Sequence, residues 1–224
     1  MSVHATSSQV LRVDTSYQRV KRIVDIVFTL LIMVPLCIVT AIVALVIRLD
    51  SKGPIFFRQK RVGQNGSEFE MLKFRSMYHN SDDALHRKAI KQFMNGDTLS
   101  HKEDSSKRYK LTNDSRVTRV GSFLRKTSMD ELPQFFNVLR GHMTLVGPRP
   151  ALQYEVELYS NHDRLRLSGK PGLTGPWQVY GRSKVSFQEM VQMDIDYLHQ
   201  QSLRQDLKLI VLTVPVMLLG HGAA

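Results

Sequence analysis

The longest stretch of this sequence without a charge runs for 22 residues, from Ile26 to Ile47. At about 1.5 Å per residue, a straight helix of that length reaches roughly 33 Å, enough for a bilayer core. The run is too long for a secretory signal and no small-residue cleavage site follows it. Pro35 stands near its middle and predicts a break or kink. The pieces on either side, Ile26–Val34 and Leu36–Ile47, are each too short to cross alone. Arg19, Lys21 and Arg22 precede the run, and Arg48, Lys52, Arg58, Lys60 and Arg61 follow it. Basic residues favour the cytoplasmic side, so two basic flanks suit a re-entrant helix that leaves by the leaflet it entered. A proline-kinked span is the alternative, since membrane helices tolerate proline. Leu207–Leu219 is a second apolar stretch, interrupted by Lys208 and Pro215 and too short to span. It is expected to lie in the membrane interface or to pack as a buried C-terminal helix.

The remaining pattern predicts a loose polar N-terminus over 1–18 and a cytosolic domain over 51–206. Gly53-Pro54 marks a turn. Ile55–Arg58 and Glu68–Phe74 read as strands, joined through the turn signal Asn65-Gly66. The polar, uneven stretch 79–115 reads as a mobile insert, helical over Ala84–Asn95 and looped over Gly96–Ser106. Leu132, Phe135, Phe136 and Leu139 fall on one helical face, which Gly141 ends. Met143–Val146 reads as extended, Ala151–Leu167 as helical, Lys170–Arg182 as a Gly/Pro-shaped loop and Ser186–Gln200 as helical. The fold class is therefore α+β, helix-dominated, with little sheet. No alternating βα pattern or dinucleotide-binding glycine fingerprint is present, which disfavours a Rossmann-type transferase.

Composition narrows the partners. The net charge is +11, which suits an anionic membrane, phosphorylated substrates or nucleic acid. The apolar run and the lack of a nucleic-acid-binding motif argue against the last. The one cysteine, Cys37, lies in the apolar run and excludes an internal disulfide. The eight histidines show no zinc-ligand spacing, and Ser168 has no nucleophile-elbow context. A homodimer is one possible assembly.

The sharpest chemistry sits in Arg125-Lys126-Thr127-Ser128-Met129-Asp130-Glu131-Leu132-Pro133-Gln134. Two adjacent carboxylates open a helix behind two cations. A helix N-terminus attracts phosphate, and an aspartate held there as an anion can attack phosphorus. Glu131 beside it could hold a divalent cation. The competing reading is local. Asp130 serves as an N-cap and Ser128-x-x-Glu131 as a capping box, in a non-enzymatic membrane scaffold. Lys73 and Arg75 after the second strand, Arg149 between two prolines and Arg182 in the Gly/Pro loop are candidate phosphate binders; each also reads as a solvated cation. Trp177 in that loop reads as a packing residue or a base-stacking one.

The ordered motifs Lys21-Arg22-x-x-Asp25, Gly53-Pro54-Ile55-Phe56-Phe57-x-Gln59-x-Arg61-x-Gly63, Lys73-Phe74-Arg75-Ser76-Met77, Asp130-Glu131-Leu132-Pro133-Gln134, Gly147-Pro148-Arg149-Pro150 and Lys170-Pro171-Gly172-Leu173-Thr174-Gly175 span most of the chain. By these the chain resembles the bacterial sugar transferases, the monotopic phosphoglycosyltransferases. The resemblance implies a re-entrant helix broken at Pro35, interfacial amphipathic helices and a small catalytic domain facing the cytoplasm of a bacterial inner membrane. It implies transfer of a sugar 1-phosphate from a UDP-sugar to undecaprenyl phosphate, releasing UMP, as a first membrane step in exopolysaccharide or other surface-glycan synthesis. Asp130 would carry the sugar phosphate covalently. Mg2+ would neutralise the diphosphate through Asp130 and Glu131, with Arg125 and Arg182 on phosphate and Arg149 near the nucleotide. Membrane lipids would be partners and nucleic acid would not. The chain looks like the small form, without an additional N-terminal membrane-spanning region. Val34-Pro35 departs from the Ser-Pro that many relatives carry at the break.

Overall fold

A single helix, α1 (Thr15–Asp50), carries the whole uncharged run and anchors everything that follows. This computed structural model describes residues 15–79, 81, 84–95, 114–181 and 185–218. The helical assignment is continuous across Pro35. It also starts at Thr15, inside the stretch expected to be loose, because Tyr17 bonds Asp206 across the molecule at 2.8 Å. Along α1, Leu31 and Val34 keep more than 70% of their surface, and Ile23, Val27, Leu30, Ile38, Ile42 and Leu45 are also exposed. Among the described residues, α1 is the one helix long and apolar enough to cross a membrane.

The first three turns of α1 bind three other elements. Lys21 pairs with Asp206 at 2.6 Å. Arg22 donates to the carbonyls of Val138 and Leu139 at 2.6 and 2.8 Å. Asp25 accepts from the Thr144 hydroxyl at 2.6 Å and the Leu145 amide at 3.1 Å. Charged residues bordering a lipid-facing segment are thus satisfied internally, as burial demands.

After α1, β1 (Phe56–Val62) and β2 (Glu68–Phe74) form an antiparallel hairpin, with Phe56 opposite Phe74 and Val62 opposite Glu68. Asn65 and Gly66 at its tip both have positive φ, as a tight hairpin turn requires. β1 runs further than the apolar pattern suggested, because Val62 also pairs with Ala151. Helix α2 (Ala84–Met94) buries Ile90, Phe93 and Met94 against Phe187 and Met190. The expected loop Gly96–Ser106 lies outside the described residues. The chain re-enters through a bridge between Met77 and Val117. It then forms α3 (Arg119–Lys126), capped by Thr118, whose hydroxyl accepts from the Gly121 amide. A Cβ on Gly121 would stand 1.9 Å from the Ser76 carbonyl oxygen, so only glycine lets α3 come this close.

A 3-10 turn, Met129–Glu131, leads through Pro133 into α4 (Gln134–Leu139). The buried face of α4 is Gln134, Phe135, Asn137 and Val138; Leu132, Phe136 and Leu139 are only half-buried. The apolar periodicity therefore misjudged the inward face. Asn137 belongs inside because it donates to the Glu70 carbonyl at 2.7 Å and accepts from the Leu72 amide at 2.9 Å. β3 (Thr144–Val146) pairs in parallel with β4 (Gly172–Thr174). Between them the expected long helix is only α5 (Gln153–Val156), followed by a 3-10 segment, Asp163–Ser168. Asp163 accepts from the amide and hydroxyl of Ser160, which turns the chain there. Helix α6 (Phe187–Gln200) starts at the Ser186 capping box, and α7 (Leu203–Leu218) follows. α7 buries Asp206 and Leu209 but exposes Leu207, Val211 and Val214. It packs on the domain by one face and leaves these apolar side chains open, so it is not a fully buried core helix.

Candidate active site

Ser128 adopts a left-handed conformation, φ 56°, which reverses the chain after α3 and swings Asp130 inward. Asp130 keeps 8% of its surface. Neither carboxylate caps a helix. Ser128 makes no side-chain cap bond, and Glu131 bonds instead to Lys73, Oε1 to Nζ at 2.7 Å. The local capping reading is thereby corrected: Pro133 and the 3-10 geometry place both carboxylates before α4, facing β2.

The two carboxyls titrate apart. Burial pushes Asp130 up to about 6; Lys73 and Arg125 work against that shift and Glu131 adds to it. A helix terminus was expected to hold this carboxylate low, but burial beside a second acid wins. Glu131 has about 40% of its side-chain surface open, yet its carboxylate is crowded by protein atoms. Burial works upward there too, and Lys73, Arg149 and Arg61 outweigh it, holding Glu131 below the usual range.

Arg125, in the last turn of α3, acts on Asp130 and has no side-chain hydrogen bond or ion pair among the described residues. A guanidinium so placed can donate hydrogen bonds to phosphate oxygens. Arg149 lies over the Trp177 ring at 5.5 Å, pairs with Glu155 at 3.4 Å and acts on Glu131. The loop carrying it is fixed from below. Gly147 donates to the Thr174 carbonyl at 2.9 Å and Gly172 to the Pro148 carbonyl at 2.8 Å. A Cβ on Gly172 would stand 2.1 Å from the Gly147 nitrogen, so this contact also needs glycine.

Asp130, Glu131, Lys73, Arg125 and Arg149 are thus brought together. Arg75 is not with them. Its guanidinium turns to the carboxyl end of α1 and donates to the Ser51 carbonyl at 2.6 Å and hydroxyl at 2.9 Å. Arg182 lies outside the described residues.

Several contributors escaped the sequence reading. Buried Arg61 donates to the Pro150 carbonyl at 2.9 Å and to Gln59 at 2.7 Å, and burial with Arg149 nearby lowers it to about 10. Arg166, fully buried, bonds Asp194, the Tyr159 hydroxyl and the Arg149 carbonyl. Glu155 bonds the Leu152 amide at 2.7 Å. Arg61 stood in a recognisable motif, but Arg166 and Glu155 had no local pattern to mark them.

Among the described residues no three His, Cys, Asp or Glu side chains converge as a self-contained metal cage. Chemically, the arrangement offers a nucleophilic carboxylate, a second carboxylate locked by a lysine, and guanidinium donors around both.

The family model for bacterial sugar transferases matches residues 16–220. The galactosyl transferase CpsE of Streptococcus agalactiae is 43% identical over 204 residues, 91% of this chain and 43% of that protein. The exopolysaccharide production protein ExoY of Sinorhizobium fredii is 38% identical over 203 residues, 91% of this chain and 87% of that protein. The undecaprenyl-phosphate galactose phosphotransferase of Salmonella typhimurium is 43% identical over 171 residues, 76% of this chain and 35% of that protein. The chain spans less than half of the first and third relatives and most of the second.

Proposed function

We propose that this chain, which belongs to the bacterial sugar transferase family, moves a sugar 1-phosphate from a UDP-sugar to undecaprenyl phosphate with Asp130 as nucleophile. The observation that carries this reading is a buried carboxylate ringed by Lys73, Glu131 and Arg125. The name of the Salmonella relative, an undecaprenyl-phosphate galactose phosphotransferase, agrees with it.

The Asp130 carboxylate attacks the β-phosphorus. The bond from that phosphorus to the oxygen bridging to the α-phosphorus breaks, and UMP leaves. The sugar phosphate remains as an acyl phosphate on Asp130. An oxygen of undecaprenyl phosphate then attacks the same phosphorus, frees the carboxylate and departs as a diphosphate-linked sugar. No net proton transfer is required. Arg125 and Arg149 receive the phosphate oxygens, where guanidinium geometry suits them. Lys73 keeps Glu131 ionised and in place.

Asp130 and Glu131 suit magnesium, which takes one or two carboxylates and completes its shell with water and substrate phosphates. It would supply charge neutralisation of the diphosphate.

A re-entrant course for α1, turning at Pro35 within the continuous helix, is supported by how its two ends are held. Arg22 bonds the α4 carbonyls, while Asp50 accepts from the Val120 amide and Ile47 packs on Phe74. Asn137 of α4 is in turn bonded to Leu72, two residues from Phe74. Both halves therefore belong to one small body, and the basic flanks favour the cytoplasmic side for it. The first membrane step of a surface-glycan pathway follows from the acceptor. The test is UMP release from a panel of UDP-sugars with undecaprenyl phosphate and magnesium, with intact mass after acid quench. Turnover in Asp130→Ala at the wild-type rate would end the proposal.

A further inference from the structure

A cavity opens where the first turns of α1 meet β3 and the end of α6. Lys21, Arg22 and Lys170 line it, together with Asp25, Tyr197 and Gln201. It shares no residue with the Asp130 site.

The charges around it do not balance evenly. Lys21 is neutralised by Asp206 at 2.6 Å and also reaches the Tyr197 hydroxyl at 3.3 Å. Asp25 is engaged by Thr144 and Leu145. Arg22 spends its hydrogen bonds on the carbonyls of Val138 and Leu139 rather than on a carboxylate. Lys170 is half-buried and has no hydrogen bond or ion pair among the described residues. Burial, then Arg22, pulls its ammonium below the usual lysine value, against Asp25. A half-buried cation beside a like charge is destabilised until an anion joins it.

Depth narrows the anion. Asp25 immediately precedes the uncharged run, and Ile23, Val24 and Val27 on the same turns are exposed apolar residues. The cavity therefore lies where α1 passes from polar surface to lipid, at headgroup level. Gln201 adds a donor, because its Oε1 already accepts from Gln18 and leaves Nε2 free to turn inward.

We propose that this cavity binds a phosphate group at the membrane surface, with Lys170 Nζ and Gln201 Nε2 as donors and Arg22 as the supporting charge. A phosphomonoester or phosphodiester fits; a neutral headgroup does not. Such a group would tie α1, β3 and α6 together through one ligand.

The test uses the full chain in non-ionic detergent, with native mass spectrometry and thermal unfolding as readouts. Three probes are compared: dioctanoyl phosphatidylglycerol, dioctanoylglycerol and inorganic phosphate. Phosphatidylglycerol should bind and raise the midpoint, while dioctanoylglycerol should do neither. Lys170→Met should weaken phosphatidylglycerol binding about tenfold, the worth of a charge-assisted hydrogen bond, and Lys170→Arg should retain it. Should Lys170→Met not fold, Gln201→Ala carries the test with a smaller loss in the same direction. Inorganic phosphate binding as tightly, and lost in the same variants, supports the site and assigns it to a soluble phosphate; binding by the lipid alone assigns it to a headgroup. Equal binding of dioctanoylglycerol and phosphatidylglycerol overturns the proposal, as does undiminished binding in the variants.

Discussion

Asp130 and Glu131 are neighbours in one turn, yet the fold pushes the first carboxyl up to about 6 and holds the second below its usual range. Lys73 makes the difference, bonding Glu131 directly and reaching Asp130 only through space. The nucleophile proposed for this site must be ionised, so with its carboxyl raised to about 6 Asp130 is expected to serve at neutral pH and to fail in mild acid.

The kcat/KM for UMP release should therefore fall as pH drops through about 6, since this parameter reports the free enzyme. A profile from pH 5 to 8 measures it. An acid limb near 4 would mean that burial does not raise Asp130.

Asp130→Asn should abolish turnover and also stabilise the protein at pH 8. The folded-state pKa lies above the unfolded one, so the protonated acid favours folding at low pH. That contribution is lost as pH rises through about 6. The neutral amide avoids the loss, by at most about 3 kcal/mol. Thermal midpoints of both proteins at pH 4 and pH 8 should differ only at the higher pH; a lower midpoint for D130N at pH 8 would favour a structural role.

Lys73→Met should cut kcat on the order of 10- to 100-fold, as for loss of one preorganised charge. It should also move the acid limb to higher pH, because Lys73 lowers both carboxyls. A rate loss with an unmoved limb would separate Lys73 from the titrating pair.

Asn137→Ala strips two hydrogen bonds from β2 and leaves the Leu72 amide and Glu70 carbonyl without them. The cost should be about 2–4 kcal/mol, with Lys73 loosened relative to Glu131. Denaturant titration in detergent, read beside KM, checks both effects.

Gly121→Ala should be worse than an ordinary helix substitution. Its methyl would meet the Ser76 carbonyl at 1.9 Å, forcing α3, and Arg125 with it, away from the site. A variant with wild-type stability and KM would show that this contact is soft.

Periodicity and turn chemistry read much of the fold correctly. The hairpin was legible because Asn65-Gly66 accepts positive φ, and α6 because Phe187, Met190, Val191, Ile195 and Leu198 supply the apolar residues of a helix. The one-turn α5 was hidden, since the Ser160–Asp163 turn interrupts a stretch that otherwise looks helical. Buried polar residues were the blind spot. Asn137, Arg166 and Asp194 point inward for partners far along the chain, which no local pattern reveals. Arg75 shows the reverse: a residue in a suggestive motif whose guanidinium faces the end of α1. Asp130 was legible as a candidate, but its mild acidity depends on burial that only the fold creates.

Lys21, Arg22 and Asp25 fasten α7, α4 and β3 to the first turns of the helix that meets lipid. The anchor is therefore not a detachable tail. Trimming it would strip the partners of buried Asp206 in α7, of the last carbonyls of α4 and of Thr144 and Leu145 in β3, so a shortened chain is expected to lose stability rather than yield a self-standing domain.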